Sequence, residues 1–407
     1  MFKITKIYAR QILDSRGNPT VETEVFTKMH KGSAIVPSGA STGKYEAKEL
    51  RDNKKDYFGK SVQRSVYIIN TYLDKKLSNF DVLNQEKIDN FLIKLDGTKD
   101  KSRLGSNTVL SISLACARCS ALIKNKPLYK YLGNPKYLPI PFANIINGGK
   151  HSFSKLKFQE FMIAPIKVNS FEEATQLVSE TYHELKKILE KKYHSSSVGD
   201  EGGFTPKIKY PEQALDLILK AINNLGYEKK IKLAIDAAAS EFYYKNKYFI
   251  PKKMNSFRLI DYYLNLIKTY PIISLEDPFE QDDFEAFKEL SKKSHIQIVG
   301  DDLLTTNISR IKIAIEKKLC NCLLLKPNQI GTLTESIEAC KLAQKNKFNV
   351  MVSHRSGETE DSFISDLSVA LNCKQIKLGA PCRGERTCKY NQLLRIAEDK
   401  RLKYSKI

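Results

Sequence analysis

The sequence predicts an α/β protein: a C-terminal β/α barrel preceded by a smaller α+β domain with an antiparallel strand meander and helices. Three observations carry the prediction. Residues 1 to about 60 alternate apolar and polar positions, as strands do, and residues 61–132 switch to helical periodicity. A proline-rich stretch then interrupts the chain. Beyond it, short apolar runs ending in a charged residue recur, each followed by a helical stretch.

In the first domain (1–132), Ile4 and Ile7, Val21–Phe26 and Ala34–Val36 mark the strands. Polar turns separate them at Ser15–Pro19 and Lys31–Gly32. The helical stretch breaks at Leu95–Asp96–Gly97–Thr98. Gly133 to Pro141 carries three prolines, which favour extended backbone, and is assigned as a linker over 133–141. The barrel is assigned to 142–407, close to the ~250 residues such barrels need. Its strands are Phe158–Glu160, Ile231–Asp236, Ile272–Glu276, Ile296–Asp301, Leu323–Lys326, Val350–His354 and Ile376–Lys377. Barrel active sites lie at the C-terminal ends of strands, where all these charged residues fall.

The pivotal stretch is Leu323–Leu325, Lys326 and the turn Pro327–Asn328. Most strand-end lysines are solvated, but one that is buried loses hydration, so its pKa falls and it can act as a general base. Three carboxylates, Asp236, Glu276 and Asp301, end successive strands and would repel one another unless a cation joined them. Hard oxygen ligands point to Mg²⁺. Lys377 and that cation would depress Lys326 further. Arg355–Ser356 suits a phosphate or carboxylate. Glu201 sits in the glycine-framed turn Gly199–Asp200–Glu201–Gly202–Gly203. A cation, a lysine base and a separate acid fit proton removal beside a carboxylate with loss of a β-substituent.

Other features are weaker. Pro37 to Lys44 has three residues between its glycines, and Tyr45 follows the lysine, so it is no phosphate-binding Walker loop. It reads as a lid or a turn. His151, in Asn147–His151, precedes the first predicted strand and is by itself more often structural. The net charge of +21 is spread along the chain without an RNA-binding motif. The eight cysteines lack zinc-site spacing and read as buried reduced thiols. With no secretory signal and no run of about 20 apolar residues, a cytoplasmic protein without membrane insertion is expected.

Taken together the motifs resemble those of the enolase family, of the bacterial type. They run from Asp14–Glu22 and Ser38–Gly43 through Gln159–Met162, Gly199–Gly203, Glu276–Pro278 and Gly300–Asp302. They continue through Lys326–Thr332, Ser353–Asp361 and Lys389–Arg395. The resemblance implies reversible dehydration of 2-phosphoglycerate to phosphoenolpyruvate in a homodimer or larger homo-oligomer. It implies Lys326 as base and Glu201 as acid, supported by Glu160, with His354 nearby. His151, Gln159, Glu160, Arg355, Ser356 and Lys377 would contact substrate. Asp236, Glu276 and Asp301 would hold one Mg²⁺, and a second, arriving with substrate, would use Ser41. A lysine base with one or two Mg²⁺ is the general pattern of this superfamily. RNA or surface-ligand binding as a second role has no motif behind it. Lys44, Tyr45, Lys150, Ser152–Lys155, Ala239 and Pro327 depart from the family pattern.

Overall fold

The computed structural model describes residues 2–39, 43–152, 154–250 and 252–406. Strands β1 (Lys6–Leu13), β2 (Pro19–Phe26) and β3 (Lys31–Ile35) form the predicted antiparallel meander. Their alternation buries Ile7, Ala9, Val21, Val25 and Ala34, and the sheet packs on helix α1 (Ser106–Ile123). This helix is long and apolar enough to cross a membrane by length and composition, yet it is 83% buried inside the protein. Val109, Leu110 and Ile112 are fully enclosed, each worth about 1.5–3 kcal/mol of burial. Cys116 and Cys119 lie on the same helix as buried free thiols. The helical break falls where expected: helix Gln85–Asp96 ends at Gly97, whose φ of 68° is the left-handed stop that glycine tolerates.

The 133–141 stretch does more than link. Tyr137–Leu138 pairs in parallel with Lys403–Tyr404, and the first barrel strand already begins at Ile140. Proline's fixed φ suits extended backbone at a strand start.

Eight strands close the barrel: β4 (Ile140–Asn147), β5 (Glu160–Pro165), β6 (Ile231–Asp236), β7 (Ile272–Glu276), β8 (Gln297–Gly300), β9 (Cys322–Leu325), β10 (Asn349–Ser353) and β11 (Gln375–Lys377). Sequence reading missed β4, a largely apolar run broken by Asn144 and without a charged end. It also misread the direction of the strand at Glu160. β5 runs antiparallel to β4 and β6, so Glu160 begins its strand instead of ending it. The cause is the connection: among the described residues of 148–159 there is no crossover helix, and only a crossover permits parallel pairing. Glu160 nevertheless reaches the same mouth. Helices packed outside begin on side-chain caps at Ser170, Asn255, Asn307 and Thr332.

The first domain covers that mouth. Ser15 N donates to the Glu358 carbonyl and Ser38 N to the Gly357 carbonyl. Arg16 reaches Ser38 Oγ at 3.2 Å and the Gly39 carbonyl at 3.1 Å.

Candidate active site

Strand register builds the site. Asn147, Glu160, Asp236 and Glu276 are Cα partners in one row across β4 to β7. Ser353 pairs with Lys377 on β10 and β11. Asp301 and Lys326 follow directly on β8 and β9. Pro327 opens a short helix, Pro327–Ile330, as its first residue, and Lys326 stays extended at φ −127°, ψ 106°. The ring of proline imposes both features, so Pro327 aims the lysine without hindering it.

Two lysines neutralise the carboxylates. Lys377 Nζ stands 2.8 Å from Glu276 Oε1, 3.2 Å from Asp236 Oδ2 and 3.1 Å from Glu160 Oε2. Lys326 Nζ donates to Asp301 Oδ2 at 2.5 Å. Gln159 Nε2 adds a bond to Asp236 Oδ2 at 3.3 Å, and Gln329 Nε2 one to Asp301 Oδ1 at 2.8 Å. Burial, then the Asp236 charge, pushes Glu276 well above the carboxylate range. Lys326 departs from the lowered pKa expected of it. Burial is the largest single influence and favours its neutral form, but the surrounding carboxylates, Asp301 foremost with Glu276 among them, together leave its pKa raised. Burial would likewise raise Asp301, and Lys326 reverses that to a net lowering.

Across the cavity, Glu201 accepts from Asn144 Nδ2 at 2.8 Å. His151 Nδ1 and His354 Nε2 lie 3.6 and 3.5 Å from its Oε1. His151, Glu160 and Glu201 offer ligand atoms all within 4.8 Å of one another. Their proton is unevenly held. Burial and the Glu201 charge drive Glu160 well up. Burial would do the same to Glu201, but His151, His354 and Arg386 pull it well down. Of the two, Glu160 has the higher proton affinity. The turn holding Glu201 needs Gly199, where an added Cβ would lie 2.4 Å from the His151 carbonyl oxygen.

One polar cavity is lined by His151, Gln159, Glu160, Glu201, Asp236, Asp301, Lys326, His354, Arg355, Ser356 and Lys377. Arg355 is steadied by a two-pronged pair with Glu46, at 2.8 and 3.3 Å. Glu276 reaches the site through Lys377, and Ser41 lies outside the described residues. The donor set suits a hard divalent cation: the carboxylates are buried, and Glu276 Oε2 has no hydrogen-bond partner. Among the described residues a second acidic trio, Asp277, Asp301 and Asp302, also has its oxygens within 4.8 Å. In that trio Asp277 is already engaged by the backbone N–H groups of Asp301 and Asp302.

Comparison with known proteins decides the family. Residues 4–132 match the family described as "Enolase, N-terminal domain", and residues 135–404 match "Enolase, C-terminal TIM barrel domain". A protein named Enolase from Methanocaldococcus jannaschii is 52% identical over 404 residues, covering 98% of this chain and 96% of that protein. Another, from Methanococcus vannielii, is 51% identical over 407 residues with the same coverage.

The chain belongs to the enolase family.

It is accordingly a glycolytic lyase, a phosphopyruvate hydratase, from a metal-dependent family. Three of its departures from the enolase pattern, Lys44, Tyr45 and Lys150, make side-chain ties near the surface. Lys150 pairs with Glu241 at 2.6 Å, and Lys44 and Tyr45 both reach Asp282, at 3.4 and 3.0 Å. Arg310 stacks 4.2 Å over the Tyr45 ring. Exposed pairs of this kind are worth ~0–1 kcal/mol each, so they adjust loops without rebuilding the enolase ring.

Sequence reading missed Asn144, Glu46, Thr306 and Arg386. Thr306 Oγ1 accepts from Lys326 N at 3.0 Å and donates to Gln329 Oε1 at 2.9 Å. Asn144 and Asn147 interrupt an apolar strand, a signal that was there to use. Glu46, Thr306 and Arg386 had none, because their partners are distant in sequence.

Proposed function

We propose that this enolase-family chain interconverts 2-phosphoglycerate and phosphoenolpyruvate with two Mg²⁺ per site, the second arriving with substrate. The observation carrying this reading is a lysine and a carboxyl pair facing one another across one cavity ringed by cations and carboxylates. Lys326, as the free amine, removes the C2 proton. The C2–H electron pair forms the C2–C3 double bond, and the C3–O bond breaks. The departing hydroxyl takes a proton that Glu160 supplies through Glu201, and leaves as water. Arg355, Ser356, His151 and Gln159 orient the phosphate and carboxylate, with Lys377 beside C2 and His354 behind the acid.

Asp236, Glu276 and Asp301 would hold the first ion, and Ser41 would serve the second. When bound, such ions offset negative charge on the substrate carboxylate. Arg355 and Lys377 both lower the proton affinity of Lys326, whereas Asp301 raises it. The base thus becomes available once the Asp301 charge is otherwise engaged.

The same reading takes the protein as a cytoplasmic homodimer or larger ring, with units 1–132 and 142–407 joined through 133–141. The family matches at 4–132 and 135–404 support the boundary after 132, and the barrel strand beginning at Ile140 carries the second unit back into the 133–141 stretch.

The test is phosphoenolpyruvate absorbance after adding 2-phosphoglycerate, with Mg²⁺ and with EDTA. Wild type should form product only with metal, and Lys326→Ala and Glu201→Gln should each lose about 10²–10⁴-fold in kcat. No metal-dependent product from wild type would overturn the reading. Full activity in Lys326→Ala would overturn the base assignment.

A further inference from the structure

We infer that Arg386 is a positioning residue that holds His354 as the neutral tautomer with its proton on Nε2, facing Glu201. Arg386 is 0% exposed, in the first turn of helix Gly384–Ala397. Its Nη1 meets His354 Nδ1 at 2.6 Å and donates to the Arg355 carbonyl at 2.6 Å. Its Nη2 donates to the Ser356 carbonyl at 2.7 Å and the Asp200 carbonyl at 3.1 Å.

A guanidinium has donors only and does not deprotonate in proteins, so Nδ1 must be the acceptor. A neutral imidazole carries one N–H, which then falls on Nε2, 3.5 Å from Glu201 Oε1. Imidazolium would point an N–H at the guanidinium and is disfavoured. In agreement, burial drives the pKa of His354 well down, with Arg386 and Lys377 adding to the shift against the pull of Glu201.

The consequence reaches both ends of the site. Asn144 donates to Glu201 Oε2, so a donor on His354 Nε2 gives Oε1 a preferred direction. The same guanidinium ties Asp200, beside the acid, to Arg355 and Ser356. Removing it frees the imidazole to take the other tautomer, which would turn a lone pair toward the Glu201 carboxylate. Lysine keeps a charge and three donors but cannot span all four acceptors. The acid role of Glu201 rests on the proposed function; the tautomer does not.

The protein has six histidines, few enough for long-range ¹H–¹⁵N correlation on histidine-labelled protein, with His354→Gln assigning the signal. Wild type should show an unprotonated Nδ1 and a protonated Nε2 at neutral pH. Arg386→Met should lose that single-tautomer signature and about 100-fold in kcat, with KM changed by less than about threefold. Arg386→Lys should restore the tautomer and part of kcat. A protonated Nδ1 in wild type would overturn the inference whether or not the variants fold. So would a folded Arg386→Met with the wild-type signature. An inactive wild type showing the stated tautomer would count against the proposed reaction and for the positioning role.

Discussion

Lys377 is the residue whose removal should reveal most about how the site survives without metal. Its ammonium is buried and lies within 3.2 Å of carboxylates on three strands, Glu160, Asp236 and Glu276. At an effective dielectric of about 20, one contact near 3 Å between full charges is worth roughly 5 kcal/mol gross. Lysine desolvation cancels part of this, and Glu160 and Glu276, both shifted upward, can take protons once the cation is gone. The net loss for Lys377→Met, which keeps the volume, should therefore be about 3–5 kcal/mol in metal-free protein. Urea unfolding in EDTA measures it. Saturating Mg²⁺ should return at least ~2 kcal/mol of the deficit, because an ion bound only to the folded carboxylates stabilises by mass action. A metal-free deficit below ~1 kcal/mol, or one unchanged by Mg²⁺, would refute the reasoning.

Three further predictions address other parts of the chain. Asp366 accepts from Tyr129 N and Gln392 Nε2, and its pKa is raised to about 6, chiefly by burial. An acid raised on folding contributes most stability below its unfolded pKa, near 4, and loses it as pH rises through 6. Asp366→Asn should thus be up to about 3 kcal/mol more stable than wild type at pH 8, with no gain at pH 4, by denaturant melts at both pH values. Thr306→Val leaves the Lys326 N–H and the Gln329 amide oxygen unpaired. It should cost about 1–3 kcal/mol and lower kcat; wild-type stability and rate together would count against that anchor. Gly199→Ala forces a Cβ to 2.4 Å from the His151 carbonyl oxygen. It should destabilise by about 1–3 kcal/mol and depress kcat more than a surface glycine such as Gly226→Ala, compared by melts and steady-state rates.

Much was legible in sequence because strand ends are local events. A short apolar run followed by a charged residue and a turn places Asp236, Glu276, Asp301, Lys326 and Lys377 at one end of a parallel barrel. Repetition of that pattern fixed the fold class, and the ordered motifs named the enolase family before any coordinate was known. Pro327 shows the same locality, since its ring favours an extended Lys326 and suits the first position of the helix that follows.

Tertiary structure decided what depends on partners far away in the chain. The direction of β5 follows from a connection without a crossover helix, so Glu160 enters the site from the start of its strand. The charge state of Lys326 turns on Asp301, 2.5 Å away across a strand gap, where burial alone pointed the other way. Glu160 is pushed up and Glu201 down because the cationic and imidazole groups gather around Glu201. Arg386, from the last helix of the barrel, could not be singled out at all: its four acceptors come from two separate segments, 354–356 and Asp200. Periodicity encodes where a side chain leaves its own strand or helix. Proton affinity and orientation are sums over the whole fold, and only the closed barrel brings those contributions together.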